Sequence, residues 1–336
     1  MKRKETVGVL EIVKLALAKD NMVPVFQCFG FDDGNVFAYD GQTAIVGPTD
    51  CKQSFGVNGN ILLGILSNSS AEDWDVSLEG QNAFIKMGKT KTELPFVPIK
   101  DFIFTPPSSG NGSVPLTVST LEGFKLCLET VSKDETQRAL HGITYADNCL
   151  FSCNGDAVTR VKIKHPVKKP FLLPTEFCEA IVKVWDGIGE TKASLSWDQE
   201  WYSAIFTDWS VFSRIPDLKS PLDYEEEIRK TVRESTSMFR VPTGLSEALS
   251  RARVLSDPES QKTAIQIESG RIELRTSTHM GDIDDTLPLK DHPKVTCSIN
   301  ASHIQQAIKI CDEIAFHENC VILQKGADIF MLVSNM

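Results

Sequence analysis

The sequence predicts an α+β protein made of three copies of one repeat, each ordered as helix, strands, helix and strands. Two observations support this prediction. Three segments with apolar residues at helical spacing recur along the chain, and alternating strands, a second helix and more strands follow each of them. Two stretches of linker composition, 105–115 and 218–236, separate the copies. The predicted domains are therefore residues 1–112, 113–232 and 233–336.

The first helix of each repeat is predicted from a single apolar stripe. In the second repeat, Leu121, Phe124, Leu128 and Val131 follow one face of a helix. The corresponding stripes are Leu10, Val13 and Leu17 in the first repeat, and Leu245, Ala248, Ala252 and Leu255 in the third. The segments VSKDETQRA (131–139) and LSDPESQKT (255–263) also match each other at a constant offset, which indicates an internal duplication.

Turn and cap residues mark the remaining elements of each repeat. Runs of alternating apolar residues flank short polar pairs, a pattern typical of hairpins. These turns are predicted at Asp33–Gly34, Asp147–Asn148 and Ser269–Gly270. Each second helix follows residues that are common at helix N-termini because they satisfy or replace free backbone amides. These residues are Asn58, Pro174–Thr175 and Asn300.

The net charge of −10 argues against a protein that holds nucleic acid mainly by neutralising phosphates. The charge is unevenly distributed, because the six predicted helices together carry only −1. Their predicted ranges are 7–20, 58–70, 120–133, 174–186, 242–255 and 300–312. The chain has no run of about 18 apolar residues and no apolar core of a signal peptide, so we expect a cytoplasmic protein with no membrane partner.

Motifs for chemistry are missing from the sequence. The nine cysteines form no CxxC pair and are expected to be reduced and buried, and the six histidines show no metal-binding spacing. No phosphate-binding or dinucleotide-binding glycine motif occurs. The acidic run GDIDD (281–285) is interpreted as a solvated turn, and the tryptophans of the second repeat as sheet and core residues. We therefore expect no catalytic residue, no metal and no cofactor.

Several segments resemble the bacterial-type DNA polymerase III beta sliding clamp family, including its phage relatives. The segments that carry the resemblance are VPVFQCF (23–29), AYDGQTAIVG (38–47), DETQRALHGITY (134–145), FSCNGDAVTRV (151–161) and SRIPDLKSPLDYEEEI (213–228). The resemblance implies three clamp domains per chain, with two chains joined head to tail in a closed ring. Helices would line the hole, and sheets would form the outer wall.

The function that the resemblance implies is processivity in DNA replication. The ring would encircle double-stranded DNA without sequence preference, and would tether a DNA polymerase and a clamp loader through short peptides. Topological linkage needs only weak phosphate contacts, which is compatible with an acidic chain. The candidate DNA-facing residues are Lys14, Lys19, Lys125, Lys133, Arg138, Lys183, Arg251 and Lys309. For Lys125, local pairing with Glu122 and Glu129 is the alternative.

The resemblance also implies a partner-peptide pocket with an apolar lining. Its candidate residues are Leu140, Gly155, Asp156, Ala157, Val158, Leu222, Tyr224, Ile228, Leu332, Val333 and Met336. The chain departs from the family pattern at 156–158, at Leu222, at Glu226–Glu227 and at its last residues. These departures favour a partner peptide different from the usual bacterial one, and a phage-encoded clamp that acts in the host cytoplasm.

Two other functions remain open at this point. A clamp-like ring could bind proteins as a scaffold without being loaded on DNA. An enzyme could have its active site between duplicated domains, although threefold repetition favours a ring or another pseudo-symmetric array.

Overall fold

A computed structural model describes residues 1–19, 23–107, 112–134, 136–189, 192–217, 238–255, 262–268, 270–289, 294–317 and 320–334. Its α-helices are α1 (Arg3–Val13), α2 (Gly59–Ser67), α3 (Val118–Leu128), α4 (Thr175–Ile188), α5 (Leu245–Leu255) and α6 (Ala301–Ala307).

The strands follow the predicted repeats. The first repeat has β1 (Cys28–Asp32), β2 (Asn35–Tyr39), β3 (Thr43–Pro48), β4 (Phe55–Asn58), β5 (Asp75–Glu79), β6 (Asn82–Met87) and β7 (Thr90–Pro95). The second has β8 (Gly112–Leu116), β9 (Gly142–Cys153), β10 (Ala157–Pro174), β11 (Ala193–Trp197), β12 (Trp201–Ile205) and β13 (Ser210–Arg214). The third has β14 (Phe239–Arg240), β15 (Lys262–Glu268), β16 (Arg271–Thr278), β17 (Gly281–Pro288), β18 (Val295–Asn300), β19 (Glu313–His317), β20 (Cys320–Lys325) and β21 (Ile329–Ser334).

The chain forms two compact units. The first unit contains residues 1–118 and 176–216, and the second contains residues 119–175 and 217–336. The segment predicted as the middle repeat thus contributes residues to both units. The division into three domains remains a prediction from the sequence pattern.

The first unit contains an eight-stranded sheet in the order β4-β1-β2-β3-β13-β12-β11-β8 and a three-stranded sheet in the order β5-β6-β7. Strands from two repeats meet in the larger sheet, where β13 pairs with β3 and Phe212 lies opposite Ala44. Tyr39, Phe104 and Trp201 pack with these two residues in one buried cluster. Aromatic packing therefore stabilises the junction between the repeats.

The helices of the first unit bury the predicted apolar residues. Leu10 and Val13 of α1 are fully buried, and the indole Nε1 of buried Trp74 donates to the Thr6 hydroxyl at 2.9 Å. The predicted cap of α2 is confirmed, because the Ile61 amide donates to Asn58 Oδ1 at 3.0 Å.

The second unit contains a six-stranded sheet in the order β14-β19-β20-β21-β10-β9 and a four-stranded sheet in the order β17-β16-β15-β18. Strand β21 of the third repeat pairs with β10 of the second, with Val333 opposite Ala157 and Ile329 opposite Val161. Helix α5 buries Leu245, Ala248 and Ala252 of its predicted stripe, whereas Leu255 is half-buried. The Ser302 amide donates to the predicted cap Asn300 at 2.9 Å.

The predicted hairpin turns have different outcomes. The first is confirmed, because Asp33 and Gly34 have φ values of +39° and +86° and connect paired strands. At the second, Asp147 has φ +48°, but β9 continues through it and its register against β10 shifts on both sides. At the third, Glu268 lies opposite Arg271 and Gly270 has φ +85°, whereas Ser269 lies outside the described residues.

Two sequence interpretations are wrong. The acidic run GDIDD is part of β17, where Asp284 lies opposite Arg275 and pairs with it at 3.2 Å. A cross-strand cation thus stabilises a carboxylate that the sequence suggested was in a turn. The predicted linker 105–115 also contains most of β8, which forms because Val114 and Leu116 are buried and pair along β11.

Candidate functional site

The sheets repeat one arrangement of strands. In the eight-stranded sheet, the first four strands of one repeat, β4-β1-β2-β3, are followed by the last three strands of the next, β13-β12-β11. In the six-stranded sheet, β10 is likewise followed by β21-β20-β19 of the next repeat. The additional strands β8 and β14 lie beside β11 and β19.

Two sheets contain only part of this arrangement. The four-stranded sheet has the first four strands of the third repeat and ends at β17, and the three-stranded sheet has the last three strands of the first repeat and ends at β7. An isolated bridge from Lys2 to Asp73, just before β5, takes the place of β8 and β14. Within the described part of the chain, β7 and β17 are therefore end strands at positions where the other repeats are joined.

The register of each hairpin determines which backbone groups face the open edge. Met87 pairs with Thr90 across a two-residue turn, so that pair is hydrogen-bonded, and the alternation directs the amides of Lys91 and Glu93 outward. In the second hairpin, Thr278 pairs with Gly281 in the same way. The amides of Asp282, Asp284 and Thr286 on β17 therefore point outward. Each end strand thus presents a row of backbone donors and acceptors.

The two edges differ in their charged residues, and β7 itself carries exposed Lys91 and Glu93. Lys86 and Lys91 lie directly opposite each other on β6 and β7, and both are exposed, as is Lys89 in the connecting turn. Like charges across a ladder destabilise a sheet unless anions compensate them. Strand β17 has exposed Asp282 and Asp284 on its outer surface. The lysines at the β7 edge are therefore opposite in charge to the aspartates of β17, whereas Glu93 has the same sign as those aspartates.

All eight predicted DNA-facing residues have exposed side chains, and the structure brings two of them together. Lys125 of α3 and Lys309 after α6 line an open cavity of about 400 Å³ in the second unit. Leu126, Ile310 and Met331 form part of its apolar lining. The others lie apart: Lys14 and Lys19 after α1, Lys133 and Arg138 between α3 and β9, Lys183 on α4, and Arg251 on α5.

Contacts within the chain are described for Arg251 and Lys309. Arg251 makes a bidentate pair with Asp285 of β17, at 3.0 and 2.7 Å, and this contact raises the pKa of the guanidinium. The Lys309 ammonium donates to Gln306 Oε1 at 2.8 Å. Their charge is therefore partly engaged within the chain.

The candidate pocket residues face two directions. Ala157 and Val333 are opposite each other on β10 and β21, and both are fully buried in the large core of the second unit. Val158 and Leu332, the next pair, are half-buried on the other face of the sheet, against Phe151. Only Val158 and Leu332 of these four present side-chain surface to a ligand.

The other pocket candidates are distributed around the turn before β10. Gly155 is exposed with φ +96°, Asp156 is half-buried, and Leu140 is half-buried between α3 and β9. Leu222, Tyr224, Ile228 and Met336 lie outside the described residues.

One side chain that sequence reasoning missed shapes this turn. Asn154 Oδ1 accepts from the amides of Asp156 and Ala157, at 3.0 and 2.8 Å. The Asn154 Nδ2 faces His303 Nε2 of α6 at 3.3 Å. An Asn-Gly pair is a turn signal in the sequence, whereas a contact with a residue 149 positions away has no local signal.

No group of three potential metal ligands occurs among the described residues. All nine cysteines are free and buried, and burial raises the pKa of the Cys127 and Cys297 thiols to about 12. Such thiols are poor nucleophiles near neutral pH. In the described segments, no helix is both long and apolar enough to span a membrane.

Comparison with solved structures finds similarity over the whole chain. The DNA polymerase III beta subunit of Thermotoga maritima has 20% identity and a TM-score of 0.84, covering 100% of this chain and 98% of that one. The griselimycin-bound DnaN sliding clamp of Bartonella birtlesii has 16% identity and a TM-score of 0.88, with the same coverage. The Bacillus subtilis sliding clamp has 14% identity and a TM-score of 0.83, again with the same coverage.

No protein-family model matches the sequence, and no curated protein matches it. The similarity is thus one of structure, and it extends over every described helix and sheet. The chain has, over its full length, the fold of the DNA polymerase III beta sliding clamps.

Proposed function

We propose that this chain is a DNA sliding clamp without enzymatic activity, which encircles duplex DNA and holds a replicative DNA polymerase on it. The observation that carries the proposal is the pair of open edges. If β17 of one copy pairs with β7 of a second copy, the four-stranded and three-stranded sheets combine into the arrangement that the other repeats have within the chain. Applied at both ends, this pairing closes two copies into a ring.

Three further observations support the proposal. The chain has the fold of sliding clamps over its whole length. Eight cations predicted to face DNA are exposed. The sequence has no motif for catalysis, and its acidic net charge is compatible with a ring that slides on DNA without gripping it.

The proposal is tested by retention on DNA. The protein is mixed with linear duplex DNA that has one blocked end, and the second end is then blocked with biotin and streptavidin. Gel filtration in about 0.5 M NaCl removes proteins held only by phosphate contacts. A clamp remains on end-blocked DNA and is released after a restriction cut, and its mass in solution is twice 37.2 kDa.

Each other outcome has a distinct meaning. Equal loss from blocked and cut DNA by a dimer would contradict encirclement and favour a scaffold that is not loaded on DNA. Equal retention before and after the cut would show ordinary binding. A trimer would place nine repeats in one assembly and contradict the two-copy ring.

The DNA-facing residues are proposed to make weak phosphate contacts. Lys125→Ala and Lys309→Ala together should reduce the salt dependence of residual DNA binding, by a slope of about 1 for each lost contact. Arg251→Ala is the comparison, because a bidentate ion pair with the Asp285 carboxylate already offsets the guanidinium charge, so its loss should alter the slope by less than about 1. An equal or larger effect of Arg251→Ala would contradict this assignment.

We also propose that partner peptides bind beside Val158 and Leu332, together with the exposed turn at Gly155. These two side chains provide half-buried apolar surface on adjacent strands, which suits the apolar anchors of a short peptide. Griselimycin is a suitable probe, because it is bound to sliding clamps with this fold. Leu332→Ala should weaken its binding at least about tenfold.

The control for this experiment is Ile103→Ala, at an apolar side chain that is 65% exposed in the first unit. It should bind griselimycin like the unchanged protein. Equal binding by Leu332→Ala would contradict the proposed peptide site while leaving the DNA-retention result untouched.

A further inference from the structure

The turn between β9 and β10 is held by one side chain whose orientation is determined by its partners. The amides of Asp156 and Ala157 both donate to one oxygen of Asn154, so that atom must be Oδ1. The Asn154 backbone amide also donates to the Ala157 carbonyl at 3.2 Å. An amide flip would place an NH₂ group against two amide donors, and the turn would lose both bonds.

This orientation determines the state of His303. The atom of Asn154 that faces the imidazole is Nδ2, which can only donate. The His303 Nε2 must therefore accept, which requires a neutral ring with its hydrogen on Nδ1. A protonated ring has a donor at both nitrogens, and it would oppose Nδ2 with a second donor.

The surroundings of His303 favour the neutral form. Burial is the main cause that lowers the pKa of this histidine, and the positive charge of Lys133 acts in the same direction. The carboxylate of Asp156 acts in the opposite direction. Among the described residues, these are the charged groups that act on the half-buried ring, and the pKa of His303 is lowered.

We propose that His303 is a positioning residue of the partner-peptide site, which holds the Asn154–Ala157 turn in place only while its ring is neutral. This inference rests on the proposed function, because Gly155, Asp156 and Val158 are candidate peptide contacts. It assigns to this site a dependence on pH. Protonation of His303 removes the acceptor for Asn154, so the turn loosens and the peptide site loses its preformed shape.

The first experiment follows the histidines by NMR in the full-length protein, with ¹³C-labelled histidine and assignment by His303→Gln. In the unchanged protein, His303 should titrate below its ordinary pKa of about 6.5. Asn154→Asp keeps acceptors for the turn amides but places a carboxylate against the ring, so His303 should then titrate above about 6.5. A midpoint that Asn154→Asp leaves unchanged would overturn the contact.

The second experiment measures hydrogen exchange of the peptide that contains the Asp156 and Ala157 amides, corrected for the intrinsic rate. Protection should fall at least about fivefold between pH 7.5 and pH 5 in the unchanged protein. It should not change with pH in His303→Gln. His279→Gln is the matched control, because His279 is exposed in the turn between β16 and β17. Equal pH dependence in His303→Gln and the unchanged protein would overturn the proposal.

The third experiment connects the turn with the partner site. Griselimycin should bind at least about threefold more weakly at pH 5 than at pH 7.5, and this difference should disappear in His303→Gln. Binding that is absent at both pH values, or that weakens equally in His303→Gln, would overturn the assignment to the partner site. DNA retention decides the clamp function separately, since it does not depend on griselimycin.

Discussion

The eight-stranded sheet and the four-stranded sheet begin with the same strands of a repeat and end differently. In the first, β3 continues into β13, and the last strand of the next repeat is part of the same sheet. In the second, β17 occupies the position of β3 and is an end strand within the described residues. The same local architecture thus produces a junction within the chain at one position and an open edge at another.

The residues at these positions explain the difference. Strand β13, SVFSR, is buried at its three central residues and contributes Phe212 to an aromatic cluster. Strand β7, TKTELP, has the same place in its repeat but is exposed or half-exposed along its whole length. Charged residues on an edge prevent indiscriminate pairing. Because the aspartates of β17 are opposite in charge to the lysines at the β7 edge, this edge remains able to pair with β17.

The largest expected effect comes from breaking the internal junction. Phe212 is 4% exposed and packs against Phe104 with ring centroids 5.7 Å apart. Phe212→Ala should lower the free energy of unfolding by about 3–5 kcal/mol, because it removes apolar contacts and leaves a cavity. Urea denaturation measures this change.

The control for Phe212→Ala is Ile205→Ala on the neighbouring strand β12. Ile205 is 38% exposed, so its truncation should cost about 1 kcal/mol or less. Similar losses for the two variants would mean that the aromatic cluster is not what stabilises the junction.

The next effect concerns the open edge. The Glu93 amide faces outward from β7, so Glu93→Pro removes a donor that a second copy would use, without removing a backbone hydrogen bond to β6. The dissociation constant of the dimer should rise at least about tenfold, because the variant loses one hydrogen bond between the copies and its proline ring clashes with the second copy. Analytical ultracentrifugation measures the change, and thermal unfolding of the single chain should alter little.

Glu93→Ala is the matched control for Glu93→Pro. It loses the side-chain contact with Asn82 but keeps the backbone amide, so it should dimerise like the unchanged protein. Asp284→Pro on β17 should reproduce the effect of Glu93→Pro from the other edge. If both proline variants remained dimeric at low concentration, pairing between β7 and β17 would be excluded.

Much of the fold could be predicted because it depends on local patterns. The stripe with Leu121 and Phe124 faces the core, and the caps Asn58 and Asn300 accept the expected amides. Helix ends were less predictable. The first helix was predicted over 7–20, but α1 spans Arg3–Val13 and is followed by a short 3-10 helix, Lys14–Ala16. Such ends depend on tertiary contacts that a periodicity does not contain.

The features that were missed depend on residues far apart in the chain. The pairing of Phe212 with Ala44, and the contact between Asn154 and His303, have no local sequence signature. The pair of Arg251 with Asp285 is of the same kind, and it joins α5 to the acidic run that the sequence interpretation placed in a turn. Sequence periodicity predicted which residues are buried, but not which edges are joined.

The smallest expected effect concerns a feature that both regions have, the asparagine that caps the second helix of a repeat. Asn58 caps α2 in the first unit, beside the joined sheet, and Asn300 caps α6 in the second, beside the open sheet. Each provides one side-chain oxygen to one helix amide, so Asn58→Ala and Asn300→Ala should each cost about 1 kcal/mol, within the range of 0.5–2 kcal/mol.

Because the chemistry is the same, the two losses should be equal in the monomeric Glu93→Pro background. In the dimer, a second copy would cover β17, whereas Asn300 ends β18 at the opposite end of the four-stranded sheet. The two losses should therefore also be equal in the dimer, measured as the shift of the urea midpoint from that of the unchanged protein at one protein concentration. Unequal costs in the monomeric background would mean that the caps differ through their own packing, and a difference that arises only in the dimer would mean that the second copy acts on α6.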